Sequence, residues 1–118
     1  MLGDDPLTVY GTGEQARDFV YVADCARANT LAAYGEQTGL YNIGCGQATT
    51  INALFAELGH ISGYARAPVY GPARAGETFQ IYLDTRQAQA GLGWTPKVSL
   101  SEGLSLTVGY FREHERRG

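Results

Sequence analysis

Residues 7 to 24 read LTVYGTGEQARDFVYVAD, and this stretch decides which fold the chain can adopt. The β-branched and aromatic run 7–10 predicts a strand that ends at a glycine. The spacing G-x-G-x-x-A over residues 11–16 is typical of a turn that binds a dinucleotide pyrophosphate. Such a turn needs a helix after it, because the unpaired N–H groups of a helix N-terminus hold the pyrophosphate. Residues 19–22 are Phe-Val-Tyr-Val and predict a second strand, so we expect no cofactor at this turn.

A second glycine turn, 44–49, lies in a better context. It follows a predicted strand over 40–43 and precedes a helix that Thr50 can cap. However, Thr49 stands at the third glycine position, and no acidic residue ends a strand about 20 residues later, where a ribose partner is expected. A strand-to-helix turn that needs a positive φ is the favoured interpretation.

The remaining segments alternate between short strands and helices, which predicts an α/β fold. Asp24 is expected to cap a helix that Gly35 stops, with Cys25, Ala28, Leu31 and Ala32 on one apolar face. The next expected elements are a helix over 50–58 with Leu54, Phe55 and Leu58 inward, an extended piece at 68–70 and a loop over 71–77. A helix capped by Asp84 is expected to follow and to end near 92. The last helix is expected over 100–115, with a Ser99/Glu102 capping box and with Leu104, Val108 and Phe111 buried.

Composition excludes several classes of function. The 118 residues suit one domain, and the formal charge of −3 argues against a nucleic-acid surface. Two Cys and two His show no metal-ligand spacing, and no apolar run approaches the length of a membrane span. We therefore expect a cytoplasmic chain without a metal site, a nucleic-acid partner or a membrane partner.

The chain also offers no catalytic constellation. A G-x-S-x-G nucleophile elbow is missing, and no Tyr is followed four residues later by Lys. Tyr70 with Arg74 comes closest, but arginine cannot exchange a proton in that role. We predict no catalytic residue here.

Two arginines in glycine-bearing loops suggest an anion site instead. Arg17 follows the first glycine turn, and Arg74 lies in the loop PARAGE at 72–77. Two guanidinium groups from separate loops can clamp a diphosphate by paired hydrogen bonds, and Glu77 can accept hydrogen bonds from a ribose. Each arginine taken alone is more often a solvated surface side chain.

Four segments together resemble NAD-dependent nucleotide-sugar epimerases and dehydratases, which are extended short-chain dehydrogenases typified by UDP-glucose 4-epimerase. Residues 7–24 resemble the family pattern L-T-[IV]-[YF]-G-D-G-x-Q-x-R-D-[FY]-[VI]-x-V-x-D. The other three segments are YNIGCG at 41–46, PARAGE at 72–77 and LGWTPKVSLSEGL at 92–104.

The resemblance implies the small C-terminal substrate-binding domain of such an enzyme, spanning 1–118, with three to four helices and without the complete Rossmann sheet. The NAD-binding turn and the catalytic residues would lie upstream in the full-length parent, so we expect no cofactor to bind this chain. The ligand would be a nucleoside diphosphate sugar. By similarity, the residues that hold this ligand, here called the grip, would be Thr8, Val9 and Tyr10 beside the base, Arg17 and Arg74 on the diphosphate, and Glu77 on the ribose.

The chain departs from the family at two places: Thr12 replaces the Asp of G-D-G, and Glu77 replaces the Asp of R-x-G-D. The opening residues suggest a cut fragment or a truncated gene. In a full-length relative, residues 19–44 would pack on the Rossmann domain, so we expect their uncovered apolar face to cause self-association. A stand-alone nucleotide-binding module, or a structural remnant without a site, stays open as an alternative.

Overall fold

The computed structural model describes residues 1–35, 39–76 and 79–117, with side chains as far as residue 114. These residues form four helices and four short strands, in accordance with the predicted α/β class. In chain order they are β1 (Thr8–Tyr10), β2 (Ala16–Arg17), α1 (Val22–Tyr34), β3 (Thr49–Thr50), α2 (Ile51–Ser62), β4 (Val69–Gly71), α3 (Arg86–Leu92) and α4 (Leu100–Arg117).

The strands in the described part of the chain pair as two separate two-stranded sheets. β1 runs parallel to β4, with Val9 opposite Tyr70, and β2 runs antiparallel to β3, with Arg17 opposite Thr49. Because each ladder has only two or three residues per strand, it supplies few backbone hydrogen bonds. Side chains must therefore hold much of the fold together.

The best-buried part of the core surrounds Trp94, whose side chain is fully buried. Two small residues, Ala28 of α1 and Ala88 of α3, pack against it and leave room for the indole. The indole N–H donates a 2.8 Å hydrogen bond to the backbone oxygen of Asp24, so the ring is satisfied as well as enclosed. Trp94 thereby joins the two helices.

Asp24 does not cap α1 as the sequence predicts. The helix begins earlier, with Tyr21 at the cap position, and Asp24 lies buried in the first turn. Its carboxylate accepts hydrogen bonds from the backbone N–H groups of Lys97 and Val98 and from the guanidinium of Arg27. Burial alone would raise the pKa of Asp24, but these hydrogen bonds outweigh it and hold the pKa below its ordinary value.

Helices α2 and α4 follow their sequence signals more closely. The Thr50 hydroxyl accepts a 3.0 Å hydrogen bond from the N–H of Ala53, as the capping prediction requires. The Ser99 hydroxyl accepts one from the N–H of Glu102 at the start of α4. On α4 Val108 is buried as predicted, whereas Phe111 is 56% exposed, contrary to the prediction.

Two strand predictions are wrong. Residues 19–21 are irregular and lead into α1, and 40–43 are irregular as well. Tyr41 and Ile43 pack against the Trp94 cluster, while Leu40 is 93% exposed. These apolar runs therefore contribute side chains to the core without pairing as strands. The periodicity of apolar residues cannot distinguish a strand from an irregular segment that packs in this way.

The predicted apolar face of α1 is only partly buried. Ala28 is buried and Leu31 packs against the core, whereas Cys25 and Ala32 are exposed. The buried half is covered by Trp94, a residue from the same chain.

The first glycine turn is held by Asn52 at the start of α2. The Asn52 amide donates to the Thr12 oxygen at 3.1 Å and to the Glu14 carboxylate at 2.8 Å. Its oxygen accepts from the Tyr70 hydroxyl at 2.8 Å. Gly13 has φ +78°, and a methyl group there would overlap the Asn52 amide. Glycine is required at this position both for its backbone conformation and for this close approach.

Replacing Asp24 by Asn should lower the free energy of unfolding by about 2–4 kcal/mol, because a neutral amide cannot accept all the hydrogen bonds that this buried carboxylate receives. Urea unfolding of the two proteins measures the difference. Asp84→Asn is the matched control, because that carboxylate is solvated and its Arg86 partner is exposed. Equal urea midpoints for the two variants would contradict the assignment.

The stability that Asp24 supplies is present above about pH 4 and is lost as pH falls through its lowered pKa, so Asp24→Asn should also flatten part of the acid unfolding curve.

Replacing Gly13 by Ala should destabilise the chain more than replacing Gly63 by Ala. Both glycines have a positive φ, +78° and +77°, but no atom lies within 4 Å of a methyl group at Gly63. We expect a loss of about 1–2 kcal/mol for Gly63→Ala and about 2 kcal/mol more for Gly13→Ala, since the latter must also displace Asn52. Thermal unfolding of both variants gives the comparison, and similar losses would refute the role of Asn52.

Candidate functional site

Tyr10 and Arg74 meet at the end of the parallel β1–β4 pair. The pairing places Tyr10 beside Gly71, and Arg74 follows three residues later in the loop after β4. The guanidinium carbon of Arg74 lies 4.4 Å from the centroid of the Tyr10 ring, a cation–π contact. Two residues predicted for the same site from distant parts of the sequence are thus brought together.

A cavity of about 210 Å³ opens beside this pair. Its wall consists of Tyr10, Gly11, Thr12, Gln15, Ala73, Arg74 and Phe79. Typical pockets that enclose a whole small ligand measure about 300–1,000 Å³. The cavity is therefore large enough for part of a nucleotide but too small to enclose a whole nucleotide sugar.

Gln15 is a member of this site that the sequence reasoning missed. Its side chain is buried, and the amide nitrogen donates a 2.7 Å hydrogen bond to the backbone oxygen of Tyr10. The Tyr10 residue is therefore held on its backbone by Gln15 and on its ring by Arg74. Gln15 belongs to the resembling segment, so its position in the G-x-Q-x-R-D pattern was a signal that could have identified it.

The other two residues of β1 take different positions. Thr8 is exposed, whereas the side chain of Val9 is 5% exposed and belongs to the core. In a strand, alternate side chains point to opposite faces, so Thr8 and Tyr10 share the face opposite Val9. The Val9 side chain therefore lies in the core, away from the face that Thr8 and Tyr10 share.

Arg17 lies at the end of β2 and does not line this cavity. Its guanidinium donates a 2.8 Å hydrogen bond to the backbone oxygen of Ala16. The N–H of Ala16 donates to the oxygen of Phe79, and the oxygen of Ala16 accepts from the N–H of Ile81. The backbone next to Arg17 is therefore tied to the segment that follows the Arg74 loop. Glu77, the predicted ribose partner, lies outside the described residues.

Both glycine turns differ from a dinucleotide-binding turn in their surroundings. The turn at 11–13 leads into β2, where a helix N-terminus would be needed. At the second turn, the N–H groups of Cys45 and Gly46 donate at 2.8 and 2.9 Å to the carboxylate of Asp18. Successive N–H groups at a turn form an anion-binding nest, and here the protein fills it with its own carboxylate.

Asp18 and Cys45 shift each other's ionisation. Burial would raise the pKa of Asp18, but the hydrogen bonds from the Cys45 thiol and from backbone N–H groups hold it below its ordinary value. Burial, together with the neighbouring Asp18 carboxylate, raises the pKa of the Cys45 thiol to about 11. The thiol therefore stays protonated near neutral pH and is a poor nucleophile.

A larger apolar groove of about 710 Å³ lies elsewhere, between α2, α4 and residues 1–3. It contains none of the predicted site residues, and His114 is the one ionisable side chain in its wall. Among the described residues, no cluster of three His, Cys, Asp or Glu could hold a metal ion. The helices of the described ranges also include none long and apolar enough to cross a membrane.

Comparison with known proteins gives consistent matches along the chain. A family model described as GDP-mannose 4,6 dehydratase matches residues 1–107. The UDP-glucose 4-epimerase of Mycolicibacterium smegmatis is 33% identical over 116 residues, which cover 95% of this chain and 36% of that protein.

Two solved structures show the same fold over the region that they share with this chain. UDP-glucose 4-epimerase from Thermotoga maritima, solved with UDP-glucose, is 48% identical, with a TM-score of 0.94 over 98% of this chain and 37% of that one. UDP-glucuronic acid 4-epimerase from Bacillus cereus, solved with UDP-glucuronic acid and NAD, is 32% identical, with a TM-score of 0.86 over 94% of this chain and 36% of that one.

The chain spans little more than a third of the length of these relatives. The family match covers residues 1–107 of the 118, and the structural likeness to the Thermotoga maritima enzyme covers 98% of the chain. The resemblance seen in the four sequence segments is thereby confirmed: the chain belongs to the family of NAD-dependent nucleotide-sugar epimerases and dehydratases.

Proposed function

We propose that this chain is the C-terminal, substrate-gripping portion of a nucleotide-sugar epimerase or dehydratase, and that it binds the nucleoside diphosphate of the sugar substrate. The Tyr10–Arg74 pair at its cavity carries the proposal. A guanidinium beside an aromatic ring offers a cation for phosphate oxygens and a flat apolar surface for a base. Relatives solved with UDP-glucose and UDP-glucuronic acid support this class of ligand.

Each part of the grip has its own task in this proposal. Arg74 and Arg17 bind the diphosphate, while the exposed edge of β1 at Thr8 and Tyr10 lies beside the base. Gln15 fixes the Tyr10 carbonyl, so this edge is rigid before the ligand arrives and less entropy is lost on binding. Glu77 is retained as the ribose partner because it follows Arg74 by three residues within the segment PARAGE.

The chain has no part in the chemical step by itself. In a full-length parent, NAD would accept hydride from a sugar carbon and return it, and its binding site would be built by residues upstream. The two glycine turns of this chain do not offer that site. We therefore propose that the chain alone turns over no nucleotide sugar, even with added NAD.

The exposed surface area of the chain supports the proposal that a neighbouring domain covers part of it. It exposes 8057 Å², whereas a compact monomer of 12.7 kDa exposes about 6,200 Å². The difference is roughly twice the ~800 Å² that one partner contributes to an interface of standard size, so it is large enough for a neighbouring domain to cover. Val22, Tyr34 and Leu40, all within the segment 19–44, are at least 70% exposed. We propose that this segment faces the Rossmann domain in a full-length parent and mediates self-association in its absence.

Titration with UDP and with uridine tests the diphosphate grip. UDP should bind more tightly than uridine, because the clamp needs the phosphates, and Arg74→Ala should weaken UDP binding by about 1.5–3 kcal/mol through the loss of charge-assisted hydrogen bonds. Arg66→Ala is the matched control, since Arg66 pairs with Asp4 away from the cavity. Binding of UDP and uridine with equal affinity would favour a site without a diphosphate clamp. No binding of either would favour a structural remnant.

Sedimentation velocity over a range of concentrations tests self-association. We expect a concentration-dependent increase in the sedimentation coefficient that Leu40→Glu reduces, because a charge at the interface must be desolvated. Leu106→Glu, on α4, is the control at a similarly apolar but separate position. A compact monomer at high concentration would rule out the association.

A further inference from the structure

Asp18 directly follows Arg17, and its carboxylate is one of the most heavily bonded groups in the described chain. It accepts hydrogen bonds from the N–H groups of Cys45 at 2.8 Å, Gly46 at 2.9 Å and Leu83 at 3.1 Å. The Cys45 thiol lies 2.9 Å from the same carboxylate and donates to it. One side chain therefore joins the end of β2 to two segments that are 27 and 65 residues away in sequence.

Asp18 approaches the second glycine turn so closely that only glycine fits at position 44, opposite its carboxylate. A methyl group at Gly44 would lie 2.6 Å from a carboxylate oxygen of Asp18 and 2.9 Å from its carboxyl carbon. Gly44 is also buried. The turn has thus no room for a side chain on the side where Asp18 enters.

Arg17 lies between two anchored neighbours. On one side, Ala16 exchanges backbone hydrogen bonds with Phe79 and Ile81. On the other side, Asp18 is bonded to Leu83 and to the 45–46 turn. Both anchors reach the segment 79–83, which comes directly after the region that contains Arg74 and Glu77. The backbone of Arg17 is consequently set relative to that segment from both ends.

We propose that Asp18 is a positioning residue for the diphosphate grip: its carboxylate fixes the direction from which Arg17 reaches the ligand. The inference rests on the proposed function, and it adds a residue that does not touch the substrate. A backbone anchored on both sides of Arg17 leaves this side chain fewer conformations to lose on binding, so loosening Asp18 should weaken binding through Arg17 alone. Asp18→Asn keeps the size of the side chain but presents an amide N–H₂ to N–H donors, which breaks part of the cluster.

A double-mutant cycle separates positioning from general stabilisation. Asp18→Asn should raise the dissociation constant for UDP about tenfold in the otherwise unchanged chain and in the Arg74→Ala background, since part of a charged-group hydrogen-bond cluster is lost. In the Arg17→Ala background the same substitution should change it by less than about twofold, because no guanidinium is left to position. Arg66→Ala serves as the control background and should leave the tenfold effect intact. Uridine, which has no diphosphate, should bind Asp18→Asn and the unchanged chain alike.

A milder pair of variants keeps the test decisive if Asp18→Asn does not fold, as judged by circular dichroism. Cys45→Ser retains a hydroxyl donor for the Asp18 carboxylate and should bind UDP like the unchanged chain. Cys45→Ala removes that single donor and should weaken UDP binding about two- to threefold, with no effect in the Arg17→Ala background.

The outcomes distinguish this inference from the proposed function. If the unchanged chain binds UDP but Asp18→Asn or Cys45→Ala weakens binding equally with and without Arg17, Asp18 is only a structural group and the positioning role is overturned. If the unchanged chain binds no UDP, the proposed function fails and the positioning role falls with it.

Discussion

The hydrogen bonds between the first turn of α1 and the segment 94–98 are the constraint on which the rest of the structure depends. The Asp24 backbone oxygen receives the indole N–H of Trp94, and its carboxylate receives the N–H groups of Lys97 and Val98. A single residue thus anchors the largest fully buried side chain of the described residues and also the segment that leads into α4. Because α4 packs on α2, and α2 holds the first glycine turn through Asn52, the placement of the candidate site follows from this anchor.

Side chains that hydrogen-bond to backbone groups hold the loops of this chain in place, as extended sheets do in larger domains. The two sheets of the described chain have at most three residues per strand, so their ladders cannot fix the loops. Asn52 ties the turn at 11–14 to β4, and Asp18 ties the end of β2 to the turn at 44–46 and to Leu83. The first glycine turn is consequently held by Asn52, and the second is occupied by the Asp18 carboxylate. The polar network is satisfied: among the described residues, no buried side-chain nitrogen or oxygen atom is left without a hydrogen bond.

Local signals in the sequence were informative where the interaction is local. The Thr50 and Ser99 caps formed as predicted, because the donor N–H lies three residues after each hydroxyl. The apolar runs at 19–22 and 40–43 misled, because a run of β-branched and aromatic residues indicates burial and does not show whether a neighbouring strand is available. The capping prediction for Asp24 failed for a related reason. The nearby N–H groups at the start of α1 and the distant N–H groups of residues 97 and 98 are alternative donors to its carboxylate, and only the fold determines which of them it meets.

What the sequence by itself determined is the family, the α/β class and the identity of the residues proposed for the grip. These depend on residue types at short spacings, such as Arg17 after the first glycine turn and Arg74 in PARAGE. Only the tertiary structure decided that Tyr10 and Arg74 share one cavity, that Gln15 holds the Tyr10 carbonyl, and that Asp18 occupies the second glycine turn. For the Tyr10–Arg74 and Asp18 contacts the physical reason is sequence separation: they join residues that no local pattern relates, and they form only when β1 pairs with β4 and the end of β2 reaches the 44–46 turn. Gln15 lies only five residues from Tyr10, but its amide meets the Tyr10 carbonyl across the glycine turn, which Asn52 of α2 holds.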